Sequence, residues 1–421
     1  MRFTSVVQLW LFLFGSMMIA MGQNAAQKQA EARQEVEQLA LRFQNPQSIN
    51  LITSQMWALT HAGRLKNEVD ESMELLASFL DKASKNEDAG SAKEFKSKMA
   101  AFLNSKDDIV AGFAASVLGI SGDLSYAPRI AKLLDKEEPP DDQTQPITSR
   151  GRAAVALSLM GAREYIPKLV LMLKSRNDYD RRGAAIALGQ LHAKEYANEV
   201  ASLLRPENRG LRVDDSPIYA LMEMGVGPAH AADFARVLHN NFDPETTKAA
   251  AFALAKLGAK EYKQDIAKLL GHEFLKGDAA KVLALMGATE YVEQIASLLK
   301  DRNGLTRTDA LLSLGIMRAT KYVPQVAKHL KDPEVYVPIH AAYALVLMEA
   351  DQYADQILPE VEHLYREDLF LGEDRFHPFA EDEIKKIKNR FKESFFRMKA
   401  KRERQKAVGE LMTVLDSCIF N

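Results

Sequence analysis

The sequence predicts an all-α fold, a right-handed α-solenoid of stacked helical hairpins. Three observations predict it. The first is a repeated motif: Gly-Ala-x-Glu-Tyr, three residues, an aliphatic residue, usually alanine, one more residue and Leu-Leu. It begins at Gly161, Gly258 and Gly287, with looser copies around Tyr126, Tyr196, Tyr322 and Tyr353 and an eighth with His230 in the tyrosine place. The anchors thus fall at positions 126, 165, 196, 230, 262, 291, 322 and 353, a near-constant period that belongs to repeat architectures. The second is the alanine-rich stretch before each motif, such as AAFALAKLG from Ala250 and AAYALVLME from Ala341, with apolar residues at helical spacing. The third is that no stretch alternates apolar and polar residues with the period of a strand.

The elements follow in chain order. MRFTSVVQLWLFLFGSMMIAMG carries one charge, Arg2, then a mostly apolar run from Val6 to Met21 and small residues at Ala20 and Gly22. That is the layout of a secretory signal peptide cut after Gly22; the run is shorter than the ~20 residues that span a bilayer. The expected compartment is the exterior or a bacterial periplasm. Residues 23–105 read as a helical N-terminal cap, in which FKSKMAAFL (Phe95–Leu103) matches a divergent second helix, Phe95 lying one repeat period before Tyr126. Terminal repeats have to close the end of the core.

Residues 106–361 hold the eight repeats. The first helix of each is rich in alanine, a strong helix former that also lets helices approach closely. Glycine ends it, being able to adopt a left-handed cap. The second helix starts just after the tyrosine; Pro128, Pro167 and Pro324 fall in its first turn, where a missing N–H costs nothing. The acidic linker KEEPPDDQTQPITSR (Lys136–Arg150) explains the long first spacing and reads as an exposed loop. Residues 362–421 read as a C-terminal cap. From Glu381 to Lys406 there are 11 basic and 5 acidic residues, and Ile384, Ile387, Phe391, Phe395 and Met398 recur at steps of 3 or 4. This is a basic amphipathic helix, expected either to cover the last repeat or to meet an anionic membrane through residues 381–406.

Stretches such as LKDPEVYVPIHAAYALVLMEADQYADQI (Leu330–Ile357) resemble HEAT repeats, particularly the short type of phycobilisome-lyase-like proteins. The resemblance covers about residues 106–361. Its arginine near the start of the first helix corresponds to Arg150, Arg181, Lys276 and Arg307, and gives way to Ala111, Thr247 and Pro338 elsewhere. The resemblance implies a binding scaffold whose second helices line a concave face. Bilin attachment is not carried over, because an exported chain is misplaced for it. Some HEAT-like hydroxylases build an iron pair from several His-Glu dipeptides; here His272-Glu273 is the only one.

Composition and motifs narrow the function. The formal net charge of −2 offers no global case for nucleic-acid binding, and none is expected. Cys418, the only cysteine, excludes an intramolecular disulfide and a cysteine-based zinc cluster. The nine histidines show no His-Glu-x-x-His spacing, and Gly-x-Ser-x-Gly and the phosphate-loop motif are absent. The expectation is no enzyme, no cofactor and no metal. The recurring tyrosine is assigned to packing between neighbours.

Binding is sought where the repeat varies. Three residues after each tyrosine, the second helix turns a side chain away from the buried stripe. Those positions are Arg129, Lys168, Glu199, Asp233, Asp265, Gln294, Gln325 and Gln356, running from basic through acidic to amide. They form the candidate track for a protein or peptide partner. The alternatives are a metal- or small-molecule-dependent factor or enzyme with a site in the groove, and a membrane-surface adaptor.

Overall fold

A computed structural model describes residues 34–43, 92–137, 148–205, 215–239, 243–359 and 381–419, with isolated positions between 48 and 82. The signal segment and most of the acidic linker lie outside the described residues. Among those described, every regular element is helical. The chain divides into two compact units, Met1–Tyr196 and Ala197–Asn421.

In the first unit α1 is Ala92–Ala101. Three first helices follow, α2 (Asp108–Ser121), α4 (Ser149–Leu159) and α6 (Asp178–Gln190), with second helices α3 (Ala127–Ala131) and α5 (Ile166–Met172). The second unit begins with α7 (Ala197–Ser202). Its first helices are α8 (Ser216–Glu223), α10 (Pro244–Lys256), α12 (Lys276–Leu285), α14 (Gly304–Ile316) and α16 (Tyr336–Leu347). Its second helices are α9 (Ala231–His239), α11 (Lys263–Lys268), α13 (Val292–Ser297), α15 (Val323–Lys328) and residues 354–359. The chain ends in α17, Glu381–Ile419. The architecture is an all-α solenoid of hairpins.

Each tyrosine, and His230, ends a short 3-10 turn that leads directly into the second helix. The turn before it is a Schellman motif. In the second repeat the Gly161 N–H donates to the Ser158 carbonyl at 2.9 Å and the Ala162 N–H to the Leu157 carbonyl at 3.0 Å. The same pair of bonds recurs through the last repeat, where Glu349 and Ala350 donate to Val346 and Leu345, both at 3.0 Å. The pivotal residue has positive φ, from 64° to 71° at Gly122, Gly161, Gly225, Gly258 and Gly287. His192, Arg318 and Glu349 take the same place at 49–56° without being glycine. The alanine that follows is buried at 162, 193, 259, 288 and 350, so the turn seals the end of the core.

Successive first helices pack closely enough to exclude side chains at some crossings. A Cβ on Gly119 would lie 2.6 Å from Ala156 Cα, and one on Gly183 2.4 Å from the Gly151 carbonyl oxygen. Side chains at helix starts tie one repeat to the next. Asp108 accepts from the N–H and hydroxyl of Ser149 at 2.8 and 2.6 Å. Fully buried Asp180 accepts from Thr148 Oγ1 at 2.7 Å and pairs with Arg150 at 3.2 Å. The Lys276 ammonium sits 2.5 Å from Asp301, and Arg307 grips Asp332 with two hydrogen bonds of 2.9 and 2.6 Å. At Arg150, Lys276 and Arg307 the basic residue near the start of the first helix is thus an inter-repeat clamp, while Arg181 bonds the Ser175 and Arg176 carbonyls and Asp178 just before it.

Both ends are closed by aromatic clusters. At the N-terminal end Phe79 stacks on Phe95 at 4.2 Å, Phe43 meets Phe95 edge-on, and the Arg42 guanidinium donates to the Ser121 carbonyl at 2.9 Å. At the C-terminal end Phe391 of α17 stacks on Tyr343 at 4.2 Å with ring planes 3° apart. Ile387, Phe391, Phe395 and Met398 are buried there, and Arg390 donates to the Ile316 carbonyl at 3.0 Å. The predicted apolar stripe therefore covers the last repeats.

Two substitutions test this account. Gly258→Ala meets nothing within 4 Å, yet should cost about 1–2 kcal/mol because its left-handed backbone penalises any Cβ. Phe391→Ala empties a fully packed site and should cost about 3–5 kcal/mol. Denaturant titration followed by circular dichroism reads both; an unchanged midpoint for either variant rejects the corresponding role.

Candidate binding surface

The second helices are short, and one side of each is buried by an aliphatic ladder: Ile130, Leu169, Val200, Phe234, Ile266, Ile295, Val326 and Ile357 are all fully enclosed. That fixes the rotation of each helix and hence the direction of the residue three positions after each tyrosine. The eight predicted positions do not share one environment. Glu199, Gln294, Gln325 and Gln356 are exposed.

The other four, of which Arg129 is also exposed, are engaged within the protein. Arg129 donates to the Ala100 carbonyl at 2.6 Å, at the C-terminal end of α1. Lys168 reaches back to Asp135 of the preceding repeat at 2.7 Å. Asp233 bridges His230 at 3.0 Å and Arg236, and its side chain is mostly buried. Asp265 pairs with Lys268 at 2.8 Å and lies 3.6 Å from His239. The expected run of basic, acidic and amide groups thus presents Glu199 and the three glutamines most openly, while Asp233 belongs to the framework of its own helix.

The first unit has a recess of about 260 Å³ between the Leu103–Ser105 turn and α3. Arg129, Lys132 and Lys136 line it beside Leu133, and no acidic side chain is among its walls. Lys136 also pairs with Asp108 at 3.0 Å. On α4, Arg152 is pushed down to about 10 by burial and by the nearby charge of Arg182. The sequence singled out Arg129 but not its companions. Their spacing of 3 and 4 along the chain was the available signal.

The histidines act locally. His192 is exposed at a left-handed turn, and His329 pairs with Asp332 at 2.9 Å. His272 and Glu273 are exposed on a connector, as expected from sequence. Among the described residues no group of three or more His, Cys, Asp or Glu side chains could hold a metal ion. No described helix is long and apolar enough to cross a membrane. The basic residues of α17 that flank its buried stripe meet acids of the last repeat: Arg397 with Glu349 at 3.2 Å, Lys401 with Asp351 at 2.6 Å, and Arg402 with Asp355. Cys418 falls where only the helix backbone is described.

No family model matches the chain, and no curated protein matches it. Solved structures of similar form are helical repeat proteins. The CpcE–CpcF complex of phycocyanin lyase from Nostoc sp. PCC7120 is 21% identical, covering 63% of this chain and 92% of that one, with a TM-score of 0.30. YibA of E. coli is 16% identical over 62% of this chain and 92% of its own, with a TM-score of 0.41. Human deoxyhypusine hydroxylase is 17% identical over 77% and 99%, with a TM-score of 0.26. At such low identity and overlap the likeness is one of fold, and none of their activities transfers to this chain.

The Arg307–Asp332 clamp gives a pH test. Burial alone would raise the Asp332 pKa. Hydrogen bonds from Arg307, His329 and the Glu334 N–H, with the Arg307 charge, outweigh that and hold it at about 2, below the ordinary 3.8. Its contribution to stability is therefore complete above pH 3.8 and lost as the pH falls toward 2. Asp332→Asn should flatten the acid limb of the stability curve in that window; an acid limb identical to wild type would show that the clamp does not couple to folding.

Proposed function

We propose that this chain is an exported, non-catalytic repeat scaffold that holds a protein or peptide partner along its second helices. The observation that carries this reading is the exposed polar row: Glu199, Gln294, Gln325 and Gln356 recur at one register on helices whose opposite sides are locked in the core. A row fixed in this way is preorganised, so little conformational entropy is lost on binding. By itself, the recess of the first unit lined by Arg129, Lys132 and Lys136 suits an acidic group. The signal-like segment supports export, with the mature chain starting at Gln23.

Site-specific photocrosslinking tests the row in cells. Crosslinkers at positions 199, 294 and 325 should capture one common partner, while one at exposed Glu223 on a first helix should not. The triple variant Glu199→Lys, Gln294→Lys, Gln325→Lys should lower affinity for that partner about tenfold or more, as expected for changes within a contact surface. Equal capture at all four positions, or unchanged affinity, removes the row from the function. Intact mass and N-terminal sequencing of the cell-derived protein test the cut: a chain beginning at Met1 would reject cleavage after Gly22.

A further inference from the structure

The other long edge of the second unit carries a feature that the binding row does not use. Phe274, Leu305 and Tyr336 recur at one register, each the same step before its repeat's tyrosine, Tyr291, Tyr322 and Tyr353 respectively. They stand where α12, α14 and α16 begin. Their exposures are 70%, 57% and 60%, and Val335 beside Tyr336 is 75% exposed. Large apolar side chains this open are a cost in water unless something covers them. At the same register in the first unit, Ile109 and Thr148 are buried and Tyr179 is half-buried; Phe102 packs on Ile109.

The ridge residues stay open beside the described part of the chain's own long helix. Phe391 of α17 stacks on Tyr343 in the second half of α16, and its polar contacts include Lys256, Ile316, Glu349, Asp351 and Asp355, at or beyond the far ends of first helices. Those ends lie one helix length away, about 15–20 Å for 10–13 residues.

We propose that the ridge is a self-association surface on which a second copy of this chain docks by two-fold symmetry. The ridge reads aromatic, leucine, aromatic at equal steps, so it is the same in either direction. A two-fold axis through Leu305 sets Leu305 against its counterpart and Phe274 against Tyr336 of the second copy, the self-complementarity that an isologous dimer requires. The same operation places His272 opposite Glu334 of the second copy, since each lies two residues before its ridge residue.

Charge favours this occupant over a lipid surface. The strongest charges under the ridge are already neutralised in the Lys276–Asp301 and Arg307–Asp332 pairs. The flanking Glu273, Lys300, Arg302, Lys331 and Glu334 are three basic and two acidic, a balance of +1, far short of the basic cluster that draws a protein to an anionic membrane. The four exposed side chains offer roughly 400 Å² of apolar surface per copy. A standard interface buries about 800 Å² per partner, so the ridge forms its core and the polar connectors its rim.

Sedimentation equilibrium of residues 23–421 tests the proposal. The wild type should dimerise reversibly. Leu305→Glu, which would place two carboxylates at the axis, should weaken the dimer about thirtyfold or more, the scale of a single interface hot spot. Leu171→Glu, at an equally open position in the first unit, should leave it unchanged. In a Cys418→Ser background, Leu305→Cys should form a covalent homodimer on mild oxidation. Phe274→Cys alone should not, but mixed with Tyr336→Cys it should. A wild type that stays monomeric at all accessible concentrations overturns the proposal. So does a dimer that withstands Leu305→Glu, or a monomer that binds anionic vesicles through the ridge. The crosslinks keep the test decisive if Leu305→Glu disturbs folding.

Discussion

Everything in each unit depends on how closely successive first helices approach. At the Gly119–Ala156 and Gly183–Gly151 crossings there is no room for one more carbon atom. At Gly315 an added Cβ would lie 2.8 Å from Ala344 Cα. Contacts this short are made between backbones, so the repeat step is set by van der Waals radii rather than by the size of variable side chains. Where the step is held in this way, a sequence register becomes a spatial row. The tyrosines of the turns, the exposed amides on the second helices and the apolar tips at the helix starts are three such rows, each a consequence of the same packing.

The left-handed turn then fixes the phase of each hairpin. It satisfies the last carbonyls of the first helix and drops an alanine or valine onto the core beneath, so the second helix leaves at a defined rotation. The ends of the repeat array pose a different problem, because an end repeat has one uncovered side. Both ends solve it alike. A phenylalanine cluster covers the apolar side, and an arginine from the capping helix satisfies a carbonyl at the end of a first helix, Arg42 on Ser121 and Arg390 on Ile316. Carbonyls at helix C-termini are both unpaired and negatively polarised, which favours a cationic donor there.

Much of this was legible in the sequence because it is written locally. The Gly-Ala-x-Glu-Tyr turn, the proline in the first turn of a second helix and the stripe of α17 are each encoded within a few residues, and all stand as read. The glycine rule was incomplete. His192, Arg318 and Glu349 occupy the same left-handed position, where the surrounding hydrogen bonds impose the backbone. The binding row was legible as a register but not as an environment. Whether a side chain there is open depends on partners that sequence spacing alone does not weigh: a carbonyl one repeat earlier for Arg129, an aspartate one repeat earlier for Lys168, two neighbours on its own turn for Asp233. The apolar ridge was hidden for the opposite reason. Its regular spacing is plain, but a large apolar residue at a helix start reads as core, and at Ile109 it is core.

In the second unit the two edges of the hairpins therefore differ in kind. The turn edge is finished: its carbonyls are paired, its alanines are buried, and α17 lies against part of it with ion pairs at Glu349 and Asp351. The connector edge has its helix-start charges paired, Lys276 with Asp301 and Arg307 with Asp332, but its apolar tips exposed. Pairing the charges removes the electrostatic reason for water to remain there, while the bare tips supply the hydrophobic reason for it to leave. An edge with both properties is suited to burial. The exposed amides of the second helices keep their hydrogen-bonding capacity in water and are suited to reversible recognition. Separation of the two on different sides of the hairpins lets one surface associate without occupying the other.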